Sequence, residues 1–258
     1  MWFGIPLIGA FSLILVPTVV LAQDTSCRDP YLDNSIANDQ RAGMLLDSAG
    51  ACVREGRPLQ SIVLFSELIG LTPQNPTAYL NRGTAYIQIG QFELGLADLD
   101  HAIRLKPDSP EAWYNRGTAF LAAHEYDRGI ADLAEAIRLQ PDLPRAYCNR
   151  GLAYLKQRDF EKALTDAATG IEKDADLPLC YFVRGDLYRQ KGEYQNALGD
   201  LSKGLQLKPD NAEALSKRGE VYEHLGERDK ALADYRAALE IAPDYKDAQE
   251  GVKRLTNN

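Results

Sequence analysis

The residues that could carry chemistry are few and scattered. The chain has three histidines, His101, His124 and His224, and its carboxylates are spread along the whole sequence. A metal site or an acid–base pair needs several such groups together, and the spacings typical of metal ligands, phosphate-binding loops and serine hydrolases do not occur. The sequence therefore predicts no catalytic residue, no bound metal, no cofactor and no small-molecule substrate, and so no enzyme.

Two kinds of charged residue do recur regularly, with a step of 34 residues and an offset of 16 between the two series. The arginines are Arg82, Arg116, Arg150, Arg184 and Arg218, and the aspartates are Asp98, Asp132, Asp166, Asp200 and Asp234. We predict that each arginine pairs with an aspartate, either in its own unit or in a neighbour, as a partly buried structural ladder. A basic stripe facing an anionic ligand is the weaker alternative, because an acid accompanies every base.

Other residue types, which define the elements that position these charges, recur with the same 34-residue step. Glycines recur at 83, 117, 151, 185 and 219, and aromatic residues at 86, 120, 154, 188 and 222. Within 110–143, apolar residues repeat every three or four positions in two stretches separated by a short polar turn. Ser109 and Pro110 suit the start of the first stretch, and Pro141 ends the second. Each unit is therefore predicted to be a pair of antiparallel helices.

These units define the organisation of the chain. A degenerate unit is predicted at 42–75, and regular units at 76–109, 110–143, 144–177, 178–211 and 212–245. Residues 246–258 are predicted to form a capping helix and tail, since an array needs a polar-faced end. Residues 23–41 are polar and irregular, and are predicted to be a linker or leading segment.

The order of aromatic, glycine, aromatic, small residue, large apolar residue, alanine and proline resembles the tetratricopeptide repeat family, most closely over 76–245. The resemblance implies an all-α fold, a right-handed superhelical solenoid of antiparallel helix pairs sealed by a C-terminal helix. It also implies a protein or peptide partner, held in the concave groove that the first helices line. The recurring arginines depart from the family, which often has leucine at that position.

The period also bears on the four cysteines. Cys148 and Cys180 are 32 residues apart, two short of the period, so they lie on adjacent first helices with nearly opposite azimuths. A Cys148–Cys180 bridge is therefore predicted. A Cys27–Cys52 bridge is predicted to pin the leading segment, and buried free thiols are the alternative for both pairs.

The predicted groove residues lie on the exposed ridge of the first helices. They are Leu80, Thr84, Ile87, Tyr114, Thr118, Leu121, Leu152, Leu155, Phe182, Asp186, Arg189, Glu213, Glu220 and Glu223. This ridge is apolar over 76–177, mixed over 178–211 and acidic over 212–245. It predicts a peptide with an apolar stretch beside basic residues. The alternative is that the ridge packs against the chain's own N-terminal segment or a second copy.

Residues 1–22 contain no charged side chain and are almost wholly apolar. They are predicted to be a signal peptide cleaved after Ala22, or an uncleaved membrane anchor. Both predictions place the repeats outside the cytoplasm, secreted or membrane-tethered. The net charge of −8 argues against a nucleic-acid partner.

The sequence thus predicts an extracytoplasmic adaptor that binds a peptide or partner protein in its groove. The alternative is a structural subunit of an envelope assembly or a self-oligomer.

Overall fold

A computed structural model describes residues 37–256 of the chain, and these residues form helices joined by short turns. The signal peptide or anchor predicted at 1–22, most of the leading segment at 23–41, and Cys27 lie outside the described residues. Within the described part, no helix is both long and apolar enough to cross a membrane.

The chain divides into two compact units, Met1–Pro73 and Gln74–Asn258. The first unit contains a helix pair, α1 (Asn38–Arg54) and α2 (Pro58–Leu71). Leu45 and Ala49 of α1 and Phe65 of α2 are fully buried, and Arg41 bonds to Glu67 across the pair. Helix α1 begins at Asn38, four residues before the predicted start of this repeat at 42 and within the leading segment 23–41.

The second unit consists of five helix pairs and one further helix. Their bounds are α3 (Pro76–Gln88), α4 (Phe92–Leu105), α5 (Pro110–Ala122), α6 (Tyr126–Leu139), α7 (Pro144–Lys156), α8 (Phe160–Lys173), α9 (Pro178–Gln190), α10 (Tyr194–Leu207), α11 (Ala212–His224), α12 (Arg228–Ile241) and α13 (Lys246–Thr256). The first helix of each pair therefore begins at the first residue of a predicted repeat, and this unit is an all-α solenoid.

Local chemistry explains where these helices begin. The Asn75 side chain accepts hydrogen bonds from the backbone N–H groups of Thr77 and Ala78, at 3.0 and 3.2 Å, ahead of α3. Pro76 follows at the first helical position, where a missing N–H group leaves no bond unmade. Ser109 caps α5 in the same way, because its hydroxyl accepts from the N–H group of Ala112.

Glycines allow the two helices of a pair to approach closely. A Cβ atom on Gly83 of α3 would lie 2.9 Å from the carbonyl oxygen of Gly95 in α4, and one on Gly95 would collide with Ile87. A larger residue at either position would push the helices apart, which explains why small residues recur at these registers.

The first helices form the inner side of the solenoid. Successive first helices contact one another along the array, from α3 to α5, α7, α9 and α11. In the described chain, the second helices of successive pairs make no comparable contact. Each second helix from α4 to α10 also packs against the next first helix. Because first helices of neighbouring repeats touch and second helices in this part of the chain do not, the first helices lie on the inner side of the curve. We call the surface of the first helices on this inner side the groove.

Candidate functional site: the first-helix groove

A row of asparagines runs along the groove at Asn81, Asn115 and Asn149. The Asn115 amide donates to the Thr84 hydroxyl at 3.0 Å, and the Asn149 amide donates to the Tyr114 hydroxyl at 2.9 Å. These bonds connect neighbouring first helices and fix the amides in the groove. The asparagines keep the 34-residue step, so the sequence contained a signal that our prediction of groove residues missed.

A cavity of about 470 Å³ opens in the groove between α3, α5 and the start of α7. Leu80, Tyr114 and Leu143 give it apolar walls, and Asn81 and Asn115 contribute amides. Its lining also includes two exposed cations, Lys106 and Arg145, and one exposed acid, Glu111, so the cations outnumber the acids there. Neither cation has an ion-pair partner among the described residues. A cavity with apolar walls, amide groups and unpaired cations can receive an apolar side chain and an adjoining acidic group.

Some of the predicted groove residues face the open groove, and others are covered by neighbouring parts of the chain. Leu80, Tyr114, Leu152 and Phe182 are partly buried. The hydroxyls of Thr84 and Thr118 donate to backbone carbonyls one turn earlier and accept from the asparagine amides.

Four of the predicted apolar contacts need correction. Leu155 is only 3% exposed and packs in a core with Ala167 and Val183, so it does not line an exposed ridge. Ile87, Leu121 and Phe182 lie over glycines of the paired second helices, at Gly95, Gly129 and Gly204, where a glycine Cβ would clash with them. These side chains fill space within their own repeats, because small residues opposite them leave that space open.

The C-terminal part of the groove carries a chain of alternating charges instead of an open acidic surface. Lys217 contacts Glu213 at 2.5 Å and Asp186 at 2.8 Å, while Arg189 contacts Asp186 and Glu220 at 2.7 Å each. Asp186 was predicted to be exposed but is 4% exposed. Burial alone would raise the pKa of Asp186, but Lys217 and Arg189 outweigh it and lower that pKa.

Glu223, the third acid predicted to be exposed in 212–245, is also paired. Glu223 contacts Arg254 of α13 at 2.5 Å and accepts a hydrogen bond from the Tyr235 hydroxyl at 2.8 Å. The prediction of a free acidic surface that attracts a basic ligand is therefore wrong, because Lys217, Arg189 and Arg254 neutralise Glu213, Glu220 and Glu223. These pairs do not recur with the 34-residue step, but Lys217 follows Asp186, Glu220 follows Arg189 and Arg254 follows Glu223 by the same 31 residues. The sequence thus contained this offset, and our prediction missed it.

The recurring arginines and aspartates lie together within each repeat. The Nε atoms of Arg82, Arg116, Arg150, Arg184 and Arg218 lie 2.6–2.7 Å from the aspartate sixteen residues later, and a second bond at 2.8 Å makes each pair bidentate. Bonding to the aspartate raises the pKa of each arginine, although burial opposes the shift. We call these five pairs the Arg–Asp ladder.

Aromatic rings lie beside the guanidinium groups of the ladder. The Arg116 guanidinium lies 4.9 Å from the Trp113 ring and 5.8 Å from the Phe120 ring, one on each side along α5. Arg116 also reaches Asp100 of the preceding repeat at 2.6 Å. The ladder residues therefore join helices and repeats to one another, and none of their charges is left free to bind a ligand.

The structure joins Cys148 of α7 to Cys180 of α9 by a disulfide, with Cα atoms 4.8 Å apart. Cys52 is buried in α1. Because Cys27 lies outside the described residues, the Cys27–Cys52 bridge stays a prediction.

The three histidines lie in separate surroundings. His101 stacks on Tyr79 with ring centres 4.2 Å apart, and His224 stacks on Tyr194 at 4.3 Å, whereas His124 contacts Tyr126 edge-on. Over residues 37–256, no group of His, Cys, Asp or Glu side chains is arranged to hold a metal ion.

Comparison with known proteins identifies the class of this array. Models of the tetratricopeptide repeat match residues 80–144, 114–178 and 212–245, and a TPR repeat model matches 185–226. The chain belongs to the tetratricopeptide repeat family. No curated protein matches it.

Solved structures share the fold at low sequence identity. The APC/C hetero-tetramer Cut9–Hcn1 superposes with a TM-score of 0.78 at 17% identity, over 84% of this chain and 43% of that chain. This chain thus spans less than half of that structure. PilF of Pseudomonas aeruginosa gives 0.72 at 17% identity, over 84% and 99% of the two chains. YrrB, a TPR protein with an unusual peptide-binding site, gives 0.54 at 22%, over 73% and 97%. The fold is that of a protein–protein interaction scaffold.

Proposed function

We propose that the protein is an adaptor that holds a segment of a partner protein in the groove, at the cavity between α3, α5 and α7. The observation that carries this proposal is the cavity itself. It combines the apolar walls of Leu80, Tyr114 and Leu143 with the amides of Asn81 and Asn115. Apolar surface of this kind is unfavourable in water, so covering it favours binding.

The cavity also suggests what the bound segment presents. An apolar side chain fills the space beside Tyr114, and the asparagine amides bond to backbone groups of an extended peptide. Lys106 and Arg145 at the rim attract an acidic residue next to that apolar side chain. This ligand chemistry replaces the basic ligand that the sequence predicts, because the acids of the last repeat are already paired.

The test begins with peptides selected from a random displayed library on the purified, oxidised protein. Calorimetry then compares the affinity of the tightest peptide for the parent and for Tyr114→Ala, which should weaken binding by more than ~1 kcal/mol. Arg145→Glu should weaken peptides that carry an acidic residue and spare a peptide in which that residue is changed to glutamine.

A matched control is Leu94→Ala on α4. Leu94 is 51% exposed on a second helix, away from the groove, so its removal should leave the affinity unchanged. Circular dichroism must show that each variant keeps its helical content. Selected peptides that bind Tyr114→Ala and Arg145→Glu as tightly as the parent would place the site elsewhere and refute the proposal.

We also propose that the repeats act outside the cytoplasm. The uncharged apolar segment 1–22 supports this location, as does the Cys148–Cys180 disulfide, since disulfides persist in oxidising compartments. N-terminal sequencing of the protein from its native cells should begin at Gln23 if the segment is removed, or at Met1 in the membrane fraction if it is an anchor. Uncleaved protein in the cytosol with reduced cysteines would contradict the location.

A further inference from the structure

The Cys148–Cys180 disulfide occupies a space that the neighbouring helix leaves vacant. A Cβ atom on Gly170 of α8 would lie 2.4 Å from the Cys180 sulfur and 2.8 Å from the Cys148 sulfur. The same register holds alanine at Ala102, Ala136 and Ala238, and glycine at Gly204, where the Phe182 ring fills the space instead. Glycine at 170 therefore makes room for the sulfur atoms, and both cysteines are almost completely buried.

The disulfide also lies at a junction that lacks a contact found between other repeats. The side chain of Trp113 donates to the carbonyl of Pro107 at 2.8 Å, and Tyr147 donates to that of Pro141 at 3.3 Å. Each bond ties a first helix to the turn before it. At the α8–α9 junction Ala175 replaces the proline, and Tyr181, at the same register, makes no such bond within the described chain.

Reduction would change the space that the two sulfurs need. Bonded sulfurs are about 2.05 Å apart, whereas non-bonded heavy atoms need roughly 3.5–4 Å. A dithiol reductant would supply two electrons and two protons, the S–S bond would become two thiols, and the reductant would become a disulfide. The thiols would then require roughly 1.5 Å more separation in a buried space that is already filled.

We propose that the Cys148–Cys180 disulfide is a redox-dependent spacer that sets the distance between α7 and α9, two of the helices that line the groove. Gly170 is the residue that adapts α8 to the oxidised form. Reduction forces the α7–α9 interface apart at a junction that lacks the contact to the preceding turn. This inference concerns the protein alone and does not depend on the identity or the existence of a groove ligand.

A cycle of four proteins tests the proposal: the parent, Gly170→Ala, Cys148→Ala/Cys180→Ala, and the triple variant. In the parent, Gly170→Ala should lower the melting temperature by about 3 °C or more, because the new methyl group collides with the sulfurs. With both sulfurs removed, the same substitution should raise the melting temperature, since the methyl group fills the vacated space and favours the helix. The same sign in both backgrounds would overturn the proposal.

A second measurement uses the parent chain alone and remains informative if Gly170→Ala fails to fold in that background. The disulfide is reduced in mild denaturant, the thiols are kept reduced with dithiothreitol, and the denaturant is removed. Hydrogen exchange of the α7 and α9 amides should then be about tenfold faster or more, with α11 and α12 unchanged as internal references. Equal exchange in α7 and α9 before and after reduction would also overturn the proposal.

Discussion

At the scale of single residues, the Arg–Asp ladder determines which substitutions the fold tolerates. In the Arg150–Asp166 pair, the arginine side chain is 19% exposed and the aspartate 6%. Arg150→Leu removes the partner of a buried carboxylate, so it should lower the free energy of unfolding by about 3 kcal/mol. Urea unfolding followed by circular dichroism measures this loss.

Two control variants distinguish the effect of breaking the buried ion pair from the effect of removing any arginine. Arg150→Leu/Asp166→Leu removes both charges and should recover most of the stability, because no unpaired charge stays buried. Arg138→Leu breaks the exposed pair with Glu135 and should have no measurable effect. Equal losses for Arg150→Leu and Arg138→Leu would contradict a structural role for the ladder.

The sequence predicted those contacts that depend on the period alone. Arg150 and Asp166 recur in step, and a 16-residue separation brings the chain through the turn to the paired helix. Cys148 and Cys180 follow from the same reasoning. The charges around Asp186 were missed because Lys217 and Arg189 do not recur with the 34-residue step, although Asp186–Lys217 and Arg189–Glu220 share an offset of 31 residues. The role of Gly170 could not be predicted, because it depends on the disulfide that lies beside it in the folded protein.

At the scale of elements, α13 depends on a contact with the last repeat. A Cβ atom on Gly251 would lie 2.5 Å from the Tyr235 ring, which is rigid and buried. Gly251→Ala should therefore lower the free energy of unfolding by about 1–3 kcal/mol, although alanine favours helices. Gly199→Ala is the matched control, since nothing lies within 4 Å of a Cβ atom there and the substitution should stabilise α10.

The attachment of α13 should also depend on pH. Burial would raise the pKa of Glu223, but the bonds from Arg254 and Tyr235 outweigh it and lower that pKa. The ionised form is therefore favoured in the folded state. Its contribution to stability is present above the unfolded pKa of about 4.3, and is lost as the pH falls through the lower folded value.

Melting curves of the parent and Glu223→Gln test this pH dependence. The parent should melt at the higher temperature at neutral pH, and the difference should disappear as the pH falls below about 4. A difference that stays constant down to pH values well below 4 would show that ionisation of Glu223 does not hold α13.

Helix boundaries were predicted best where proline or a capping side chain marks them. Helices α3, α5, α7 and α9 begin at Pro76, Pro110, Pro144 and Pro178. Helix α1, which Ala37 precedes without a capping side chain, begins at Asn38, four residues before the predicted start of its repeat at 42. The capping helix α13 followed from its amphipathic pattern, but its bond to Glu223 needs the folded arrangement of α11 and α12.

At the scale of the whole molecule, an adaptor and an assembly subunit differ in association state. The polar α13 covers the end of the last repeat, where Ala248 packs in one core with Tyr235 and Ala238. An array sealed in this way does not offer that face for stacking. Light scattering of the eluting protein should therefore give the mass of one chain over a wide range of concentration. A concentration-independent oligomer would favour the assembly subunit.

The central claim is that a partner binds to the first helices of the array, at the cavity beside Tyr114. Hydrogen exchange of the protein with and without a saturating selected peptide tests this claim most directly. The account predicts slower exchange of α3, α5 and the start of α7 in the complex, with α6 and α8 unchanged. Protection confined to α4, α6 and the other second helices would contradict it.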